Sequence, residues 1–265
     1  MTKKGLCILT KHKEIKLLLD GDMLAFRLVS AAKTEVCWGD TISSYIDMDA
    51  IKVTFGEQLD TLQDKVYKAF KINNKIPCNH ILCFTDPNDN FRKHILPTYK
   101  ANRNGKAKPL GYWSLVKWIK HTYNCFEKPS LEADDCIGIL ATSSPTDSIM
   151  VSGDKDFRSI PGRFFDLIHD LPYDTTEEEA DYFHLYQTLI GDTTDNYKGC
   201  PGIGPVTAHK MLSISPVWKT VRDAFALKGL SEEEALLQAR VARILRAEDV
   251  IDLKGYIPKL WVPKK

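Results

Sequence analysis

Ser148-Ile149-Met150-Val151-Ser152-Gly153-Asp154-Lys155-Asp156-Phe157 is the stretch whose reading decides the fold. Ile149, Met150 and Val151 form a short apolar run bounded by a turn signal, which reads as a buried strand. Gly153 permits a sharp turn, and two carboxylates, Asp154 and Asp156, follow at once. In an open α/β sheet, ligands bind beyond the carboxyl ends of the strands. The pair is therefore aimed at the place where such a fold keeps its site. Taken alone, it reads more readily as a helix N-cap followed by a solvated first-turn residue.

Two other stretches repeat the pattern. Leu17-Leu18-Leu19 runs into Asp20-Gly21-Asp22, and Ile81-Leu82-Cys83-Phe84 runs into Thr85-Asp86. Two further acidic clusters are Glu132-Ala133-Asp134-Asp135 and Gly191-Asp192-Thr193-Thr194-Asp195-Asn196. Converging carboxylates repel one another, so a fold that gathers them implies cations between them. An all-oxygen ligand set without His or Cys suits hard cations, Mg²⁺ or Mn²⁺.

Composition narrows the class. A chain of 265 residues with 43% hydrophobic content can bury a sizeable core, as one large domain or a core with a smaller appendage. A net charge of +1 requires any nucleic-acid contact to come from a local basic patch. The seven cysteines are scattered, without a Cys-x-x-Cys pair, which argues against zinc and disulfides and for a reducing cytoplasm. No apolar run approaches a membrane span, and the N-terminus lacks a signal-peptide core.

Along the chain, residues 1–14 are basic and read as peripheral. Lys16–Asp20 predicts a first strand, Met23–Ala32 a helix, and Lys33–Asp49 an irregular stretch. Apolar residues at 55, 59, 62, 66 and 70 predict a helix from Ile51 to Ile72. His80–Asp86 predicts the second strand, Tyr112–Tyr123 and Glu132–Thr142 helices, and Phe164–Ile168 a further strand. The carboxylates of 132–135 then occupy a helix first turn, which the helix dipole also favours. Capping boxes at Thr175 or Thr176 and at Ser231…Glu234 open later helices. Leu236, Leu237, Val241, Ile244 and Leu245 give the last of them an apolar face. Strands alternating with helices and then a helical tail indicate a mostly parallel α/β core over 1–190 and a helical region over 191–265.

Residues 91–110 carry Arg92, Lys93, Lys100, Arg103, Lys106 and Lys108 with no Asp or Glu among them. The lack of acids favours phosphate contact over an ordinary solvated basic face. Arg92, Lys93, Tyr99 and Lys106 are candidate DNA contacts, Tyr99 and Phe91 either by stacking on an unpaired base or by packing against the core. Gly199-Cys200-Pro201-Gly202-Ile203-Gly204-Pro205-Val206-Thr207-Ala208 reads as a glycine hairpin with open backbone N–H groups feeding a helix N-terminus. Gly202, Ile203, Gly204 and Thr207 are its candidate contacts to a phosphate backbone, which carries no base information.

These motifs, in this order from Leu17 to Leu212, resemble the 5′-nuclease superfamily. That family comprises flap endonucleases and the 5′–3′ exonuclease domain of bacterial DNA polymerase I. The resemblance rests on Asp20-Gly21-Asp22, Phe84-Thr85-Asp86 and Tyr99-Lys100-Ala101-Asn102-Arg103. It rests also on Leu131-Glu132-Ala133-Asp134-Asp135, Ser152-Gly153-Asp154-Lys155-Asp156, Gly191-Asp192…Asp195-Asn196 and the Pro-Gly-Ile-Gly hairpin. Arg92-Lys93 and the late Gln238-Ala239-Arg240-Val241-Ala242-Arg243-Ile244-Leu245-Arg246 are similar to the free-standing exonucleases of short-tailed bacteriophages.

The resemblance implies a PIN-like core with a helix-hairpin-helix-type motif, and a division of roles. Asp20, Asp86, Glu132, Asp134 and Asp135 would hold a first divalent ion, partly through water; Asp154, Asp156, Asp192 and Asp195 would build the second site. Lys100, Arg103 and Arg27 would offset charge on the scissile phosphate. Asp22 is given a structural role. The hairpin would bind duplex backbone, in the family often with a potassium ion. The implied substrate is duplex DNA with 5′ ends or flaps, cut 5′ to 3′ in replication or degradation, with RNA–DNA hybrid and replication proteins as further candidate partners, by a monomer in the cytoplasm. The segment 91–110 is short for the family's arch. Three other readings compete: an aspartate-nucleophile phosphatase built on Asp20 and Asp22, a non-catalytic DNA-binding protein, and a PIN-type ribonuclease. The first leaves the hairpin and the basic segment unexplained, and the last normally lacks the hairpin.

Overall fold

A computed structural model describes residues 14–252 and 254–264. The basic N-terminal stretch, apart from Glu14, lies outside the described residues. The chain opens with β1 (Ile15–Asp20), α1 (Gly21–Ala32), β2 (Thr34–Trp38), β3 (Thr41–Tyr45), α2 (Met48–Phe70) and β4 (Cys78–Cys83). The basic segment holds a short helix, α3 (Phe91–Ile95), and a 3₁₀ turn at Ala101–Arg103. Then come α4 (Tyr112–Thr122), β5 (Cys125–Phe126), α5 (Ala133–Ser143), β6 (Ser148–Ser152), β7 (Gly162–Asp166) and β8 (Leu171–Thr175). The remainder is helical: α6 (Glu177–Ile190), α7 (Pro205–Ile214), α8 (Trp218–Ala226) and α9 (Glu232–Ala242).

The main sheet runs β5-β4-β1-β6-β7-β8, parallel except for the antiparallel β7–β8 edge. Successive side chains of a strand point to opposite faces. Leu17 and Leu19 pack with α1, α2 and α4 on one side, and Leu18 packs with α5 on the other. Both faces are covered, which is why β1 reads as an unbroken Leu run rather than an alternation. The chain builds outward from β1 through β4 on one side and through β6 on the other. The ends of β1, β4 and β6 therefore open onto the crevice where the winding direction reverses.

The sequence expectations differ from the fold in four places. Lys33–Asp49 is not irregular but holds an exposed two-stranded ribbon, β2 against β3, turning through Gly39 at φ 64°. The two-residue Gly-Asp loop is one that hairpins favour. The short edge strands β5 and β8 were not foreseen, because two or five half-exposed residues carry little periodic signal. The last helix stops at Ala242, so Ile244 and Leu245 are not on its face. They are buried instead beside α5, with Cys136, Ile137 and Met150. Residues 243–249 thus return from the helical region to the α/β core. A methyl at Gly138 would meet the Leu245 carbonyl oxygen at 2.3 Å, so that glycine is what lets the strap lie flat on α5.

The capping boxes at Thr176–Glu179 and Ser231–Glu234 are both formed. The α6–α9 region has its own core, with Leu185, Leu189, Leu212, Val221 and Phe225 buried together. No helix among the described residues is long and apolar enough to cross a membrane.

Candidate active site

An open basin of about 1380 Å³ lies over the crevice. Asp20, Asp86, Glu132, Asp134, Asp154, Asp156, Asp192 and Asp195 all line it, with Lys93, Tyr99, Lys100, Arg103 and Lys106. Each arrives on a different device. Asp20 ends β1 and caps α1, accepting from the Met23 N–H at 2.9 Å and from Ser152 Oγ at 3.2 Å. Asp86 follows β4 and accepts from the Ser130 and Asn88 N–H groups at 2.8 and 2.9 Å. Glu132 and Asp134 stand at the N-terminus of α5, and Asp154 caps the 3₁₀ turn after β6. Asp192 and Asp195 sit in a loop closed by paired backbone bonds between Asp192 and Tyr197, 2.8 and 3.0 Å.

Neck geometry holds that loop. Gly191 (φ 70°) and Gly199 (φ 64°) lie back to back, and a Cβ on either would come within 2.4 Å of the other strand's backbone. Only glycine fits there.

The electrostatics divide the carboxylates. Burial, reinforced by Asp22 and Asp154, pushes Asp20 up to about 6. Burial raises Asp134 well above the carboxylate range, with Asp20 and Asp154 adding to it. Burial and then Asp154 push Asp156 up to about 7. Burial would raise Glu132 as well, but Lys100 and Arg92 override it and hold it at about 2. Backbone hydrogen bonds, that from Ser130 foremost, keep Asp86 low.

Such a set fits hard cations. The donors are all carboxylates, three of them short of positive charge, and the buried Oδ1 of Asp156 has no hydrogen-bond partner. Among the described residues no three His, Cys, Asp or Glu side chains already close on one point as a finished ligand set. The carboxylates share a basin rather than a knot.

Lys100 reaches Glu132 at 2.5 Å and Asp195 at 3.5 Å, and Arg103 reaches Asp195 at 2.6 Å. Lys93 and Lys106 are exposed on the same rim.

Three sequence-based assignments are corrected. Asp135 does not face the basin: it is fully buried, and its oxygens accept from Arg92, the Leu245 N–H and the Glu132 N–H. With both oxygens so engaged it is no metal ligand. Arg92 is 2% exposed and bonded to Asp135, Glu132 and two C-terminal carbonyls, so it is no DNA contact. Tyr99 is 3% exposed, and its hydroxyl donates to Glu132 at 2.8 Å and Asp195 at 3.1 Å, so its ring is not free to stack on a base. Arg27 is exposed on α1, one position from the basin-lining Phe26, and does not itself line the basin.

Asp22 stitches the floor together, accepting from the Thr85 N–H at 2.9 Å and the Tyr112 hydroxyl at 2.8 Å. Ser152, Phe26, Trp113 and Lys120 bear on the basin or its ligands without having been singled out in the sequence. Ser152 was findable, since it immediately precedes the Gly-Asp turn; the others lie on ordinary helical patterns. Gly202, Ile203 and Gly204 lie in the turn leading into α7 and Thr207 in the first turn of that helix, none of them lining the basin. Gly202 is left-handed at φ 74°, whereas Gly204 is extended and has nothing within 4 Å of where a Cβ would stand.

Comparison with known proteins agrees with this geometry. Residues 16–180 match the family model of the 5′–3′ exonuclease N-terminal, resolvase-like domain. The exodeoxyribonuclease of Enterobacteria phage T3 is 31% identical over 94% of this chain and 93% of its own length. The exonuclease of Escherichia phage T7 is 30% identical over 93% of each. Among solved structures, the bacteriophage T5 flap endonuclease, in a pseudo-enzyme–product complex with DNA and metal ions, superposes with a TM-score of 0.62. That match covers 86% of this chain and 88% of the T5 chain, at 16% identity, and speaks to the fold. The shared α/β core, the carboxylate basin at its switch point and these relatives place the chain in the 5′–3′ exonuclease family.

Proposed function

We propose that this protein is a divalent-metal-dependent 5′–3′ exodeoxyribonuclease, acting with Mg²⁺ or Mn²⁺ on the 5′ ends of duplex DNA during replication or degradation. The observation that carries the reading is the sharing of one open basin by Asp20, Asp86, Glu132, Asp134, Asp154, Asp156, Asp192 and Asp195 with Lys100 and Arg103. Asp20, Asp86, Glu132 and Asp134 would hold one ion and Asp154, Asp156, Asp192 and Asp195 the other. Bound there, two divalent cations supply activation of water and charge stabilisation for an in-line displacement at phosphorus.

The chain's own residues do the rest. Asp20 and Asp156, held partly protonated near neutrality by burial and neighbouring charge, release their protons when positive charge enters the basin. Glu132 stays ionised at every working pH and anchors the ammonium of Lys100. Lys100 and Arg103 are fixed donors beside the acidic floor, placed to take a phosphate oxygen as negative charge develops. Asp22 keeps Asp20 and Asp86 in register by tying the start of α1 to the segment after β4.

The helical region over 191–265 would hold the duplex. Gly204 leaves open space before α7, and the first N–H groups of that helix face an approaching phosphate. A potassium ion at the hairpin carbonyls and a cytoplasmic monomer belong to the same reading.

The test is a side-by-side digest of 5′-labelled blunt duplex, gapped duplex, 5′-flap and RNA–DNA hybrid with Mg²⁺, Mn²⁺ or chelator. Metal-dependent release of short 5′ products from duplex supports the reading. Cleavage of a chromogenic phosphomonoester instead, or duplex binding without turnover, overturns it. The flap and hybrid arms define how far the activity extends.

A further inference from the structure

We propose that Asn102 and Asn196 are positioning residues: a reciprocal clasp that holds the Lys100 segment on the acidic 192–197 loop while substrate exchanges the ion pairs between them. The two segments lie nearly a hundred positions apart in sequence, and each sends an amide across to the other's backbone. Asn102 Nδ2 donates to the carbonyls of Thr193 and Thr194 at 3.2 and 3.1 Å. Asn196 Nδ2 donates to the carbonyl of Thr98 at 2.6 Å. Between them the Lys100 N–H donates to the Asp195 carbonyl at 2.9 Å.

Backbone conformation points the same way. Lys100 (φ 53°) and Asn196 (φ 59°) are both left-handed. Asn tolerates that region, but Lys does so only when its surroundings over-determine it. Lys100 is therefore held in a conformation it would not choose, and the clasp is part of what surrounds it.

Among the remaining links, Tyr99 packs with Tyr197 and its hydroxyl reaches the Asp195 carboxylate at 3.1 Å. Lys100 and Arg103 contact Asp195 by charge. On the proposed function, on which this inference rests, those same cations turn to a phosphate and the Asp195 carboxylate to a metal ion. The ion pairs that join the segments are then the ones catalysis rearranges. Neutral amide-to-carbonyl bonds neither attract nor repel the entering charges. Together with the buried packing of Tyr99 on Tyr197, they can keep the Lys100 backbone registered against Asp192 and Asp195 throughout.

The experiment uses the full chain with Asn102→Ala, Asn196→Gly and their combination. Glycine at 196 removes the amide while keeping the left-handed backbone accessible. Hydrogen exchange over residues 98–103 is measured without metal or DNA. The single-turnover rate on 5′-labelled duplex is measured with Mg²⁺ at saturating enzyme, and the duplex Kd with Ca²⁺ in place of Mg²⁺. The rate measurements are repeated in a Lys100→Ala background.

The clasp predicts faster exchange at Lys100 and a rate reduced roughly fivefold to tenfold per lost amide. It predicts a Kd within about twofold and little further loss once Lys100 is alanine, because coupled residues are not additive. Full additivity with Lys100→Ala would overturn the positioning role, as would unchanged exchange at Lys100. Were the unsubstituted protein inert on 5′-ended duplex, the proposed function would fall, and the exchange measurement would still decide the clasp.

Discussion

Arg92 and Asp135 meet in a two-pronged ion pair beneath the basin, Nη1 to Oδ2 and Nη2 to Oδ1, both at 2.7 Å. Arg92 also donates from Nε to the Val241 carbonyl and from Nη2 to that of Arg243, at 3.0 and 2.6 Å. Asp135 accepts from the Leu245 N–H at 3.0 Å. The pair is the bolt that fastens the returning C-terminal strap to α5, and through Glu132 it reaches the floor of the active site.

Arg92→Ala should therefore destabilise the protein by about 3–5 kcal/mol, because it leaves a buried carboxylate without its partner. Arg92→Lys should recover little, since an ammonium cannot reproduce the planar fork. Thermal or urea unfolding checks this. A DNA-contact residue would instead leave the unfolding midpoint unchanged and weaken duplex binding.

Asp134→Asn and Asp154→Asn should each abolish cleavage while leaving duplex affinity in Ca²⁺-free buffer nearly intact. Both carboxylates lie among like charges, and Asp134 is raised well above its ordinary range by burial and by Asp20 and Asp154. Asparagine cannot carry the negative charge that this crowding disfavours, so the metal-free variants should melt no lower than the parent. Calorimetric titration with Mn²⁺ should show weakened binding of an ion in each. Near-normal turnover at saturating Mg²⁺ would overturn the ligand assignment.

Without metal, stability should fall as pH rises from about 4 to about 7. Native Asp20 and Asp156 keep their protons to about 6 and 7, whereas the unfolded chain loses them near 3.8. Over that window the native state binds more protons, so the stability slope with pH is negative. His184 works the other way: burial holds it neutral down to about 3 against an ordinary 6.5, so it loses stability as pH falls below 6.5. Several raised carboxylates outweigh one imidazole. Denaturant unfolding at pH 5.5 and pH 8 in chelator should show the more stable protein at pH 5.5. Asp156→Asn should flatten the slope, and saturating Mg²⁺ should remove it.

Gly204→Val should weaken duplex affinity without unfolding the hairpin. Its backbone is extended and the space for a Cβ is free, so valine fits the unbound protein but stands where a duplex backbone would approach. Gly202→Val, at φ 74°, carries backbone strain as well and is the less informative change. The loss should be similar across duplex sequences, because backbone contact reads no bases. Single-turnover cleavage of a short single strand should be little changed. Unchanged duplex affinity would make the hairpin a plain turn.

The sequence by itself determined the sheet core and the place of the site. Leu17–Leu19, Ile81–Phe84 and Ile149–Val151 are apolar runs too short for helices, and each ends in Asp or in a Gly-Asp turn. Strand periodicity and turn chemistry are local, so they survive in one dimension. The same holds for the caps at Thr176 and Ser231, whose partners are three residues away. The tertiary structure alone decided which charges are free. Asp134 and Asp135 are neighbours in sequence, yet one lines the basin and the other is locked to Arg92 and Leu245. Arg92 and Lys93 likewise part company, one buried and one on the rim. Adjacent residues on a helix face directions about 100° apart, and what each direction meets is chain from far away. No local pattern records that the strap of residues 243–249 comes back to α5, nor that Asn102 reaches Thr193 and Thr194 while Asn196 reaches Thr98, because both are fixed by packing over separations of roughly a hundred residues.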